Sequence, residues 1–186
     1  MRNLVVACAL LAFAGLASEA SEARAKRPKR GIVGKSAPAL RVHKWINVPA
    51  GKKTVRLSDY RGKVVYLYFF QAGCPGCLKH GFPALRTLTR RYKKDDKVAF
   101  IAIQTPFEGF KYHTARRLPE LAKRFKLSIP MGHDGRHSRK RLMRRYRTGG
   151  TPWVAIIDHT GVVRFDGYHL RVHHATRLLN ALKSAM

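Results

Sequence analysis

The sequence predicts an α/β fold: a central mixed β-sheet with a parallel core, helices on both faces and a closing antiparallel hairpin. Three observations carry that expectation. Lys63 to Phe70 (KVVYLYFF), Val98 to Gln104 (VAFIAIQ) and Trp153 to Asp158 (WVAIID) are nearly unbroken apolar runs, the pattern of strands buried on both faces. Helically spaced segments alternate with them, giving the order β, α, β, α, β, α, β, β, α. The length, 186 residues with 45% hydrophobic, suits one globular unit, since about 100–200 residues make a domain.

The elements follow in order. Met1-Arg2-Asn3 is a short positive start, Leu4 to Ala17 an apolar core, and Ala17, Ser18, Ala20 and Ala23 supply small residues for cleavage. Residues 1–20 therefore read as a secretory signal peptide, shorter in its apolar run than the roughly 20 residues a membrane-spanning helix needs. Residues 21–36, with Arg24 to Lys35 reading RAKRPKRGIVGK, form a basic flexible leader, and residues 37–186 the domain. Val55 to Tyr60 reads as a short strand and turn. Gly73 ends the Lys63–Phe70 strand, and Cys74 to Tyr92 takes up helical spacing, with Pro83 expected to kink or split it. Thr114 to Lys126 is a basic amphipathic helix with Leu118, Leu121, Ala122 and Phe125 inward. Ser128 to Met131 is a short strand, and Ser138 to Arg147 a helix with Leu142, Met143 and Tyr146 inward. His159-Thr160-Gly161 turns Trp153–Asp158 into Val162 to Tyr168, and His173 to Met186 closes the chain as a helix.

Composition excludes several classes. With only three cysteines the chain is no disulfide-dense mini-protein, and with one apolar run it is no multi-pass membrane protein. Thirty-eight Lys plus Arg against ten Asp plus Glu give +28, which favours acidic proteins or an anionic membrane surface as partners. Arg136 to Arg147 (RHSRKRLMRRYR) is the densest basic stretch. No aromatic platform or reading motif stands beside it, so nucleic acid is not expected as a partner.

Loss of the signal takes Cys8 and leaves Cys74 and Cys77. A C-x-x-C loop is too tight to staple distant parts of a fold, so a redox role is favoured over a structural one. Placed between a buried strand and a helix, Cys74 meets the unpaired N–H groups and partial positive charge of a helix start. A thiol with a pKa near 8.5 is about 3% ionised at pH 7, and one near 6.5 about three-quarters. Pro75 suits the first helical turn. Cys74 is thus the expected nucleophile, Cys77 the resolving thiol one turn on, and Pro75 and Gly76 the residues that tune the helix-end field. Gly149-Gly150-Thr151-Pro152-Trp153 precedes a strand; Thr151–Pro152 there is either an ordinary trans bond or a cis bond that frees the Thr151 backbone for an extended peptide.

Phe69 to Cys77 (FFQAGCPGC), Leu57 to Lys63 (LSDYRGK) and Thr151-Pro152 followed by Ile156 to Gly161 (IIDHTG) resemble the TlpA/ResA-like branch of the thioredoxin superfamily. The resemblance spans roughly Lys35 to Met186. It implies a thioredoxin fold, an extracytoplasmic and commonly periplasmic location, a Cys74–Cys77 disulfide, a cis Pro152 packed beside it, and a reductase acting on client protein disulfides with a separate redox donor. Two departures stand out. Gly73 occupies a position where the family commonly has Trp. The acid that takes the buried cysteine's proton in many members is missing at Gln104-Thr105, and Glu108 is the nearest replacement.

His80, three residues past Cys77, is an active-site neighbour if it lies along the helix toward the disulfide. His133, His137, His173 and His174 lack partnering carboxylates or cysteines, so no metal and no cofactor are expected, and the chain is expected to be a monomer. Competing readings are a disulfide oxidant or isomerase, a peroxiredoxin-type peroxidase, disfavoured by Gln71 where a hydroxyl is needed, and a copper chaperone, disfavoured by the C-x-x-C spacing.

Overall fold

The structure, a computed structural model, describes residues 30–42, 44–135 and 142–186. The expected signal peptide, residues 21–29 of the leader, His137 and the first half of the Arg136–Arg147 stretch lie outside the described residues.

A six-stranded mixed sheet forms the centre. Its strands are β1 (Lys44–Ile46), β2 (Val64–Phe70), β3 (Val98–Gln104), β4 (Met131–His133), β5 (Trp153–Ile157) and β6 (Val163–Tyr168), in the spatial order β1-β4-β3-β2-β5-β6. β2 runs parallel to β3, and β3 to β4, which is the predicted parallel core. β5 lies antiparallel to β2 and to β6, and β1 antiparallel to β4. This is the thioredoxin α/β arrangement.

All seven β2 residues are buried, and their alternation divides the core in two. Val64, Tyr66, Tyr68 and Phe70 face α1 (Phe82–Arg91), α2 (Arg117–Phe125) and α4 (Val172–Ser184), through Leu85, Leu88, Leu118, Leu121, Phe125, Ala175 and Leu179. Val65, Leu67 and Phe69 face the other way, onto Leu40, Val55, Tyr146 and Leu142 of the short helix α3 (Leu142–Arg145). The even burial of β2 puts its C-terminal end, and the cysteines just past it, in the middle of the sheet edge.

Several boundaries differ from expectation. Val55–Tyr60 is not a strand: Leu57–Tyr60 is a 3-10 turn, closed by the Asp59 carboxylate accepting the Arg56 N–H at 3.1 Å. β4 begins where the Ser128–Met131 strand was expected to end. Within the expected leader Ile32 is buried, its N–H donates to Asp166, and Ser36 bridges Val162, while Val33 to Ser36 are exposed. Apolar Ile32 inside a basic stretch is what draws this segment onto the hairpin. The helix after Cys74 is neither split nor ended: Pro75 and Gly76 are helical, Cys77–Gly81 widens into a π turn, and α1 runs on from Phe82 with Pro83 directly after that turn.

Candidate active site at the cysteine turn

β2 delivers Gln71, Ala72 and Gly73 into a turn closed by the Cys74 N–H donating to the Gln71 carbonyl at 3.2 Å. The Leu78 N–H then donates to the Cys74 carbonyl at 3.0 Å, which opens the helix. Cys74 is half-buried and Cys77 fully buried, and both are free thiols. The Cys77 N–H points at Cys74 Sγ, 3.4 Å away, so a backbone donor of the first helical turn faces the outer sulfur. Cys74 Sγ in turn donates to the Thr151 carbonyl at 3.5 Å.

The Thr151–Pro152 peptide bond is cis. Pro152 packs over the cysteine turn: a Cβ built on Gly76 would meet Pro152 Cδ at 3.2 Å and Cys74 Sγ at 4.0 Å. The two segments that sequence places far apart therefore meet around one sulfur. The Pro152 carbonyl accepts the His169 N–H at 3.3 Å, and the His169 ring lies 5.9 Å from that of His80. His80 thus flanks the site through His169, on the exposed side of the π turn. Glu108 is exposed; its backbone carbonyl, not its carboxylate, reaches the site by accepting Gln71 Nε2 at 3.5 Å.

Burial pushes the Cys77 thiol up to about 12. Its partner sulfur adds to that rise, while the Gln71 backbone N–H and the Tyr68 hydroxyl work against it. The arrangement is asymmetric: a reachable outer sulfur with a backbone donor, and an inner one held as a thiol by its surroundings.

Four residues at the site were not picked out from sequence as its members. Gln71, buried, also meets the Thr151 hydroxyl, which donates to its Oε1 at 3.4 Å. His113 accepts the Gly73 N–H on Nδ1 at 3.4 Å. Tyr112 and His113 fill the space over Gly73, where a Cβ would stand 2.9 Å from Tyr112 Cε1 and 3.1 Å from His113 Cε1. Tyr68 is the fourth. Gln104, expected only as the place of a missing acid, donates through Nε2 to the Thr114 carbonyl at 2.9 Å and ties down the far end of the same loop. A buried glutamine three residues before the cysteine was a readable signal; the loop FEGFKYH carries none. His133 pairs with Gln104 at 3.0 Å. Among the described residues no group of three or more His, Cys, Asp or Glu is placed to hold a metal ion.

Comparison with known proteins agrees with this geometry. A family profile described as AhpC/TSA family matches residues 33–166. A crystal structure of a thioredoxin-like superfamily protein superposes with a TM-score of 0.71 at 30% identity, covering 80% of this chain and 96% of the other. A thiol-disulfide isomerase from Corynebacterium glutamicum superposes with a TM-score of 0.68 at 28% identity, covering 80% and 97%. Among curated sequences, Protein DipZ of Mycobacterium bovis is 31% identical over 69% of this chain, and the thiol-disulfide oxidoreductase ResA of Geobacillus kaustophilus 30% identical over 59%. The chain spans only 18% of DipZ and 56% of that ResA.

Proposed function

The chain belongs to the AhpC/TSA family, and on that premise we propose that it is an exported thiol–disulfide oxidoreductase of the TlpA/ResA-like kind that reduces client protein disulfides. The observation that carries the reading is a half-exposed Cys74 sulfur set between the Cys77 N–H at 3.4 Å and the Thr151 carbonyl at 3.5 Å. Residues 1–20 act as the export signal, and the periplasm or an equivalent space is the place of action.

The reaction is thiol–disulfide exchange. The Cys74 thiolate attacks one sulfur of a client disulfide; the client S–S bond breaks, and its other sulfur leaves as a thiolate and takes a proton. Cys77, once deprotonated, attacks Cys74 Sγ, forms the Cys74–Cys77 disulfide and releases the second client thiol. Two electrons have moved from this protein to the client, and a redox donor must return them. Thr151 and Pro152 line the approach, where an extended client strand can lie against the turn.

Insulin reduction by the mature protein tests this. Cys74→Ser should lose activity by more than a hundredfold, and Cys77→Ser should trap a client mixed disulfide visible on a non-reducing gel. Full activity in Cys74→Ser overturns the proposal. A second reading, isomerase, is favoured by the Corynebacterium glutamicum relative named for that activity. The midpoint potential separates them: a value near the thioredoxin potential of about −270 mV supports reduction, and one near the disulfide-isomerase potential of about −180 mV supports isomerisation.

A further inference from the structure

Tyr68 occupies an unusual position for a residue in an apolar strand. Its ring is 1% exposed and packs edge-on against Phe82 at 5.4 Å and stacked with Phe70 at 5.8 Å. Aromatic neighbours account for a phenylalanine at this place as well as for a tyrosine. The hydroxyl is the part left over. It is fully buried and, among the described residues, makes no hydrogen bond of ordinary geometry, with both cysteines as thiols. A buried hydroxyl left without a good hydrogen bond is destabilising, so such groups are rare in folded proteins and call for a reason.

The local backbone makes room for this hydroxyl. Gly81 closes the π turn that Cys77 opens. A Cβ on Gly81 would overlap the Tyr68 hydroxyl oxygen and stand 2.7 Å from Cζ. The side chain that Gly81 lacks is therefore replaced in space by the tip of Tyr68, held under the turn that carries the inner sulfur. Cys77, at the other end of that turn, lies in the same buried cluster as Tyr68, whose hydroxyl favours its thiolate form. Among the described residues no carboxylate joins them in that cluster, and Glu108 stands exposed on its loop.

We propose that Tyr68 is the hydrogen-bond donor that stabilises the Cys77 thiolate as it attacks the mixed disulfide, doing by donation what a nearby acid does elsewhere by accepting a proton. This rests on the exchange reaction proposed above and deepens it. Burial pushes the Tyr68 hydroxyl well above its ordinary range, so it keeps its proton and cannot act as base. The Cys77 proton leaves to solvent or to the departing client thiolate. The hydroxyl makes no hydrogen bond of ordinary geometry at rest and closes one onto Cys77 Sγ as negative charge appears there. Its cost is carried in the resting state and relieved in the reacting one, so the interaction is differential and speeds the step.

The test is Tyr68→Phe, followed by stopped-flow with a disulfide-linked, fluorophore-quencher peptide as client. The first phase, attack by Cys74, should be unchanged. The second, resolution by Cys77, should slow about tenfold or more, the usual scale for losing a hydrogen bond to a charged group, and its pH midpoint should rise. Thermal stability should hold or increase, since a buried hydroxyl without a good hydrogen bond is gone; a purely structural tyrosine would not move the second-phase midpoint. An unchanged second phase and midpoint overturn the proposal. If wild-type protein shows no first phase, it is the exchange reading that fails. Cys77 ionisation, followed by thiolate absorbance in Cys74→Ala with and without Tyr68→Phe, then still decides the role of Tyr68. Should Tyr68→Phe not fold, 3-fluorotyrosine introduced at 68 keeps the shape with a more acidic hydroxyl and should lower the Cys77 midpoint; no movement there also overturns it.

Discussion

The hydrogen bond from the Gly73 N–H to His113 Nδ1 joins the 105–116 loop to the cysteine turn, and it exists only while that nitrogen is unprotonated. Burial holds the His113 pKa below its ordinary 6.5, and the Arg117 charge adds to this against the opposing pull of Glu108. A depressed histidine favours the neutral form in the folded state, so its contribution is full above pH 6.5 and falls away as pH drops through the depressed value. The protection of the Gly73 amide, its exchange rate relative to the intrinsic rate at the same pH, should therefore fall on acidification below pH 6.5 in the wild type. In His113→Asn that protection should be low at neutral pH and flat across the range; pH-dependent protection persisting in the variant would contradict the assignment. The same loop accounts for Gly73 itself. A larger residue there meets Tyr112 and His113, so the tryptophan of the resembled family cannot be accommodated without moving the loop. Cys74 and Cys77 could be read from a local signal, a C-x-x-C after a strand; the place of Pro152 came only from the family resemblance, because a proline before a strand leaves cis and trans open. His113 and Tyr68 could not be read, because their part in the site depends on which loop crosses Gly73 and which ring lies under Gly81, contacts that only the folded chain creates.

Elements were legible in proportion to how completely they are buried. β2, β3 and β5 read directly from apolar runs because both of their faces meet core. β1 was missed, since three residues exposed at one end and paired only with β4 leave no periodic pattern. Pro83 signals a kink or split after Cys74, whereas the helix runs on through a π turn in which Gly81 leaves space for Tyr68. The β5–β6 hairpin shows how a turn motif becomes an energetic element. Asp158 accepts from the Thr160 N–H at 3.0 Å, the Thr160 hydroxyl at 2.7 Å, the Val162 N–H at 2.9 Å and Arg164 Nε at 2.6 Å. Burial alone would push its carboxyl up; these donors outweigh burial and hold it at about 2, below the ordinary 3.8. A depressed carboxylate stabilises the fold above its unfolded pKa, and that stability is lost as pH falls through the folded one. Asp158→Asn should cost about 2 kcal/mol at neutral pH, measured by urea unfolding, and should flatten the wild-type loss of stability between about pH 4 and pH 2. An unchanged acid limb in the variant would place that loss elsewhere.

At the scale of the whole molecule the net charge of +28 outweighs every local electrostatic gain. Some cations are well used: Arg90 and Arg91 close α1, and Lys123 and Arg124 close α2, where a helix end favours positive charge by about 0.3–1 kcal/mol each. Others pair, as in Lys52–Asp59 and Arg117–Glu120, at largely exposed sites where a pair is worth about 1 kcal/mol or less. Ten acids cannot neutralise thirty-eight bases. Like charges about 10 Å apart in water repel by about 0.4 kcal/mol, so a few neighbours for each excess charge bring the repulsion to the order of 10 kcal/mol, well above the sum of the helix-end and ion-pair terms. Salt weakens both, but the larger quantity decides the sign. Tm should therefore rise as NaCl goes from ~10 mM to ~500 mM, because the screening length shrinks from about 30 Å to only a few ångströms. The same imbalance should drive binding to phosphatidylglycerol vesicles at low salt and release at high salt, while phosphatidylcholine vesicles are ignored. A Tm that falls over that range would mean local ion pairs, not net repulsion, dominate, and would remove the physical basis for an anionic docking partner.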